Sequence, residues 1–434
     1  MNNLIRTSLG LLLLPLLAGC GYRAPMYRTA VTEDPARFVS IRPEYRQLAA
    51  LLASDTGLPT TDSNTLSILP DAVRKFEILL DDLRGAKESI YIEQYRFRMD
   101  TIGTTIADIL KEKAGGGADV RTIADRGASI KEDRQGLLAL RDHDIESYLY
   151  YRPKSLRDYV WPAKGAHRDH RKIVLVDGRT GYLGGRNIQD KYFGWRDCDI
   201  RISGPAVEDL GTVFSDAQQQ MAPQLPPLKI SPESARPAAA DTIPGLRQFR
   251  EKTVQIVPDS PWDRVLPMRN CFEWAITHAR RYFYFYNPYT PPPASTLKAL
   301  KDAAARGVDV RWIVPANNDV KPAKWMGESL YPELLQAGVK IYEWQGNVLH
   351  TKQFISDDYL TAIGSANMDN MSFFLNMEVE ALVYDEETAV AARDLFEQDA
   401  AARCLPITLE QVLRWNPLRK LRNRITRLTF GPIG

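Results

Sequence analysis

His170-Arg171-Lys172-Ile173-Val174-Leu175-Val176-Asp177 and His350-Thr351-Lys352-Gln353-Phe354-Ile355-Ser356-Asp357 are two copies of one pattern, H-x-K-x4-D, placed 180 residues apart. The likeness continues beyond the octets. Gly184-Gly185 and Asn187 follow His170 at the offsets at which Gly364-Ser365 and Asn367 follow His350. With five histidines in 434 residues, composition does not account for two such extended matches. A short strand alternates its side chains, so each histidine and the lysine two positions on point to the same side. Ile173 to Val176 reads as a buried strand that holds the first pair on a rigid element. An imidazole beside an ammonium suits a phosphodiester, whose anion needs positive donors and whose phosphorus needs a nucleophile. The glycines then allow close backbone approach, with Asn187 and Asn367 as neutral donors to phosphate oxygens.

The flanking sequence repeats as well. Ala86-Lys87-Glu88 leads into an apolar strand at Ser89 to Tyr95, then a helix marked by Ile106, Ile109 and Leu110, a Gly115-Gly116-Gly117 stop and a strand from Asp119 to Ala124. Ala279-Arg280-Arg281 leads in the same way into a strand at Tyr282 to Tyr286, a helix with Leu297, Leu300 and Ala304, a stop at Gly307 and a strand from Val308 to Val314. Strands alternating with helices, twice over, predict an α/β fold built by internal duplication.

The motifs resemble those of the phospholipase D superfamily, and within it the bacterial cardiolipin synthase-like members. The resemblance runs from about Ala86 to Arg403. It takes in Gly184-Gly185-Arg186-Asn187-Ile188-Gln189-Asp190-Lys191-Tyr192-Phe193, Trp195-Arg196-Asp197 and Gly204-Pro205, then Gly364-Ser365-Ala366-Asn367-Met368-Asp369, Ser372, Asn376 and Glu378. Met371 departs from the pattern, since many relatives carry Arg before that serine. The resemblance implies two similar α-β-α domains related by a pseudo-twofold duplication with the active site at their interface, and a covalent phosphohistidine mechanism, with His170 as nucleophile and His350 as acid/base. Lys172, Lys352, Asn187 and Asn367 would stabilise the phosphoryl charge, Glu378 would orient His170 and Asp197 would orient His350. It makes Asp177 and Asp357 structural and requires neither metal nor cofactor. His143 and His278 stand outside any motif, and His167 lacks the lysine spacing.

Outside the repeats, the chain carries membrane signals. Residues 1–19 have a polar, positive start and the apolar run Leu9 to Leu17, too short to span a bilayer, which reads as a signal peptide. Leu17-Ala18-Gly19-Cys20 resembles a bacterial lipobox, implying lipidation of Cys20 and an envelope protein that faces the periplasm, with Tyr22 favouring the outer membrane. Cys198, Cys271 and Cys404 show no metal-ligand spacing and read as structural. The first half holds 13 extra residues before its motif, within Ser147 to His167, where Tyr151, Tyr159 and Trp161 mix with Arg152, Lys154 and Arg157. Such a stretch suits a lipid-headgroup interface, nucleobase stacking or a solvated loop. Near the C-terminus Leu418, Leu421, Ile425 and Leu428 form a helical stripe among Arg419, Lys420, Arg422, Arg424 and Arg427, fit either for a membrane surface or for packing on the body.

The expected division is a signal peptide at 1–19, an extension at 20–70, a first phospholipase D-like domain at 71–220 and a Pro/Ala-rich linker at 221–250. A second such domain follows at 251–405 and a basic amphipathic tail at 406–434. The formal net charge of +2 gives no general basic excess and weakly disfavours nucleic acid as the partner. The leading expectation is a phosphatidyltransferase or phospholipase D acting on anionic phospholipid at a membrane surface, with no obligate protein partner. An extracytoplasmic nuclease of the same superfamily and a catalytically silent lipid-binding lipoprotein are the alternatives.

Overall fold

The duplicated motif becomes a duplicated half-sheet. The computed structural model describes residues 34–150, 167–230, 242–262, 265–289 and 291–430. The signal segment, Cys20, the Tyr151 to Trp161 part of the insertion and the middle of the expected linker lie outside them. In chain order the first-half strands are β1 (Thr61–Leu69), β2 (Ser89–Gln94), β3 (Asp119–Asp125), β4 (Glu146–Tyr150), β5 (Arg168–Asp169), β6 (Lys172–Val176), β7 (Thr180–Gly184) and β8 (Asp199–Ser203). The second half supplies β9 (Phe249–Asp259), β10 (Tyr282–Tyr286), β11 (Asp309–Pro315), β12 (Lys340–Trp344), β13 (Gln353–Ser356), β14 (Leu360–Gly364), β15 (Asn376–Tyr384) and β16 (Cys404–Ile407).

Outward from an antiparallel junction between β1 and β9, one side runs β8-β7-β6-β2-β3-β4 and the other β15-β14-β13-β10-β11-β12, with β16 at the far edge. The two orders are the same, so the pseudo-twofold passes between β1 and β9. β2-β3-β4 in the first half and β10-β11-β12 in the second are parallel, β16 adds antiparallel to β12, and in each half an antiparallel meander carries the motif. Parallel neighbours need a crossover, which the helices Thr101–Gly115 and Ala294–Ala305 provide.

Burial on both faces explains the unbroken apolar run of the first motif. Ile173 and Leu175 pack with Val207, Leu210 and Phe214 of the helix Ala206–Met221, while Val174 and Val176 pack with Ile106 and Leu110 on the other face. The motif aspartates end the same strands. Asp177 accepts from the backbone N–H groups of Lys87, Glu88 and Ser89, and Asp357 from those of Arg280, Arg281 and Tyr282. Both sit at positive φ, 52° and 54°, where the hairpin turns.

β1 falls inside the expected 20–70 extension, yet it pairs with both β8 and β9 at the centre of the sheet. Its polar start at Thr61-Asp62-Ser63-Asn64 and the irregular register there hide the strand period in the sequence. Cys198, Cys271 and Cys404 are free thiols, the first two buried.

Candidate active site

The site forms where each motif crosses to the other half. β5 pairs with β15, and the His170 N–H donates to the Met377 carbonyl at 3.0 Å. The His350 N–H donates to the Arg196 carbonyl at 2.7 Å. Each acceptor is the residue just before a carboxylate, so the backbone register delivers Glu378 to His170 and Asp197 to His350. His170 Nδ1 lies 3.0 Å from both Glu378 oxygens, and His350 Nδ1 lies 2.7 Å from Asp197 Oδ2. A carboxylate at Nδ1 fixes the tautomer with hydrogen there, leaving the Nε2 lone pair free.

The carboxylates are themselves held. Glu378 accepts from Ser365 Oγ at 2.5 Å, Ser372 Oγ at 2.7 Å and Asn376 Nδ2 at 3.3 Å. Asp197 accepts from the Cys198 N–H at 2.8 Å. Gly185 makes room for it: a Cβ there would lie 2.2 Å from Asp197 Oδ1. Lys172 and Lys352 each donate to the carbonyl of their own motif histidine. All eight expected protein site residues are buried: His170, Lys172, Asn187, Asp197, His350, Lys352, Asn367 and Glu378.

Burial dominates the electrostatics. It lowers Lys172 to about 7 and Lys352 to about 8, against the raising charges of Glu378 and Asp197. Burial also lowers His170, opposed by Glu378. His350 falls well below its ordinary value, through burial and then Lys352, Lys172, His170 and Lys191. Burial raises Glu378, but His170 and Lys172 outweigh it and hold the carboxyl below its usual range. Both imidazoles are therefore neutral near pH 7, beside an ionised Glu378.

The asparagines differ from expectation. Asn187 is tied into the framework, its Oδ1 accepting from the Arg96 N–H at 3.0 Å and its Nδ2 donating to the Tyr192 hydroxyl. That leaves one N–H for a phosphate oxygen. Asn367 is freer: its Oδ1 is buried with no hydrogen-bond partner among the described residues. His167 is outside the pair, its Nδ1 2.8 Å from the Leu375 carbonyl oxygen and its ring against Trp262.

The sequence reading gave no role to the aromatic walls. Tyr95 stands edge-on to His170, with ring centres 4.6 Å apart, while Tyr192, Trp195 and Tyr289 surround His350 at 5.4 to 5.5 Å. Lys172 lies over Tyr95 and Lys352 over Tyr289. A second layer was also missed. Asp199 opposes Gly184 across the sheet, as Glu380 opposes Gly364. Asp199 is paired with Arg186, but Ala366 stands at the matching place before Glu380. Glu380 accepts from the Ala366 N–H at 2.9 Å, and its other oxygen has no partner among the described residues.

Burial raises Glu380 well above 4.5, with Glu378 adding to it, so the folded protein holds a proton that the unfolded chain releases. Stability from this group is present below pH 4.5 and is lost as pH rises toward the folded value. In Glu380→Gln that slope should vanish. The variant's stability relative to the parent should rise as pH climbs above 4.5, by at most about 1.4 kcal/mol per pH unit, in denaturant melts. A constant difference would mean that Glu380 is ionised in the fold.

The chain matches the family described as "Cardiolipin synthase, PLD-like domain" over residues 79–216 and 274–400. It is 35% identical over 335 residues to cardiolipin synthase 2 of Bacillus anthracis, covering 76% of this chain and 62% of that relative's length. Against the major cardiolipin synthase of Bacillus subtilis it is 30% identical over 398 residues, 89% of this chain and 79% of that one. The crystal structure of phosphatidylserine synthase from Haemophilus influenzae has the same fold, with a TM-score of 0.64 at 15% identity, covering 85% of this chain and 94% of that one. With two motif copies crossing between duplicated halves and a family match over more than half its length, the chain belongs to the phospholipase D superfamily, among its cardiolipin synthase-like members.

Proposed function

We propose that this protein is a phosphatidyltransferase of the cardiolipin synthase type, acting on anionic phospholipid at a bacterial envelope membrane. The observation that carries the reading is the crossed pairing of His170 with Glu378 and His350 with Asp197. His170 Nε2 attacks phosphorus, and the P–N bond forms as the P–O bond to the leaving alcohol breaks. That alcohol takes its proton from His350. An incoming alcohol then returns a proton to His350 as its oxygen attacks phosphorus and frees His170. Water in the same place makes the reaction a hydrolysis.

The electrostatics tie acid function to substrate. Burial, and then the Lys352 and Lys172 charges, keep His350 neutral. A phosphodiester anion between those lysines offsets their part of the shift, which favours a proton on His350 when substrate binds. Asn367 and the remaining Asn187 N–H face the same anion as neutral partners. The lipobox-like Leu17-Ala18-Gly19-Cys20 supports an anchor at Cys20 facing the periplasm, and Tyr22 supports sorting to the outer membrane.

The test is to incubate the protein with phosphatidylglycerol vesicles in EDTA and read the lipids by mass spectrometry. Cardiolipin is expected, absent from a His170→Ala control. Phosphatidic acid alone would replace transfer with hydrolysis. Cleavage of nucleic acid with no lipid product would overturn the lipid substrate.

A further inference from the structure

The C-terminal helix Pro417–Phe430 is docked the wrong way round for a helix that belongs to a globular core. An amphipathic helix ordinarily buries its apolar stripe and leaves its charges in water. Here the polar face is turned toward the body, with Asn423 and Thr426 buried. Arg419 and Arg422 both bond Glu328, Asn423 Nδ2 reaches the same carboxylate at 2.9 Å, and Arg427 bonds Glu333. Arg422 also lies over the Trp325 ring. These contacts fix the helix to the helix Lys321–Gln336 through its cations. The stripe faces away: Leu418, Leu421, Ile425 and Leu428 are 78%, 53%, 53% and 71% exposed. Leu413, just before the helix, is 55% exposed.

Charge identifies what covers this face. After Glu410 the sequence has six Arg and Lys residues and no Asp or Glu. Glu328 and Glu333 engage three of those cations. Lys420 and Arg424, both exposed and beside the stripe, have no carboxylate partner among the described residues. A second copy of the same face would bring these cations against one another. An anionic bilayer surface complements both features, taking the leucines below the headgroups and the cations among them. No described helix is long and apolar enough to cross a membrane, so this one would lie in its plane.

We infer that the helix Pro417–Phe430 is an in-plane docking element for an anionic phospholipid surface, held rigidly on the second half by the Glu328 and Glu333 contacts. The inference stands apart from the catalytic reading, because surface binding needs no turnover. Its test uses the full chain with Ile425→Cys carrying an environment-sensitive fluorophore, corrected with the parent chain labelled in the same way. Phosphatidylglycerol/phosphatidylcholine vesicles should shift the emission to the blue and brighten it, while pure phosphatidylcholine should not. Adding Lys420→Glu and Arg424→Glu, with an unchanged thermal midpoint, should raise the half-saturating lipid concentration about 10-fold or more. An unchanged emission with anionic vesicles would overturn the inference, even if the chain sediments with them through another anchor. A blue shift that follows protein concentration without lipid would assign the face to a second copy instead.

Discussion

His170→Ala and His350→Ala should each lower phosphatidyl transfer by on the order of 10³-fold or more, because the two imidazoles act as one unit. They should differ in what accumulates. With a donor whose leaving group needs no protonation, such as a p-nitrophenyl phosphodiester, His350→Ala should still form the phosphoenzyme and then stall. Its label should be acid-labile and map to His170. In His170→Ala no phosphoenzyme should appear. Label on His350 instead would exchange the two roles while leaving the pair intact. The double variant should be scarcely worse than either single one, since removing one member already disables both steps. Fold is a small concern: each ring is held by one carboxylate and aromatic edges, and the strands that follow are anchored separately by Asp177 and Asp357.

What the sequence revealed and what it hid divide along physical lines. Motif spacing is a property of the chain, so the two H-x-K-x4-D copies, their strands and the α/β duplication could be read directly. Pairing across the halves is different. Asp197 lies 153 residues from His350, and Glu378 lies 208 from His170, so resemblance alone placed them. The contacts follow from strand register, where the His170 and His350 N–H groups meet the carbonyls before each carboxylate. β1 was missed because half of it is polar and irregular at a central position. The walls of Tyr95, Tyr192, Trp195 and Tyr289 were in plain sight as residues, but aromatic rings have no spacing signature that separates a site wall from a core. The direction faced by the C-terminal stripe depends on which partners Glu328 and Glu333 take. Helical periodicity shows that a stripe exists, not where it faces.

Glu378→Gln should lower transfer by roughly 10² to 10⁴-fold, a larger loss than its small change in shape implies. Glu378 is fully buried and accepts from Ser365, Ser372, Asn376 and the His170 ring. An amide has one acceptor oxygen in place of two, and its NH2 group must meet either the ring or the serines. Facing the ring, it forces hydrogen from Nδ1 to Nε2 and occupies the lone pair that must attack phosphorus. Facing the serines, it sets donor against donor unless the hydroxyls rotate, and in either orientation it removes the anion that stabilises positive charge on His170. The pH profile separates this from a merely structural loss. Glu378 raises the His170 value, so without it His170 protonates only at lower pH, and the acid limb of transfer should move down. Glu378→Asp keeps the charge but shortens the reach, and should recover part of the rate with the acid limb close to its original place. A Gln variant that keeps the parent's acid limb and loses activity only in proportion to its folded fraction would make Glu378 a packing residue, and would leave His170 oriented by its backbone bond to Met377 and the Tyr95 edge.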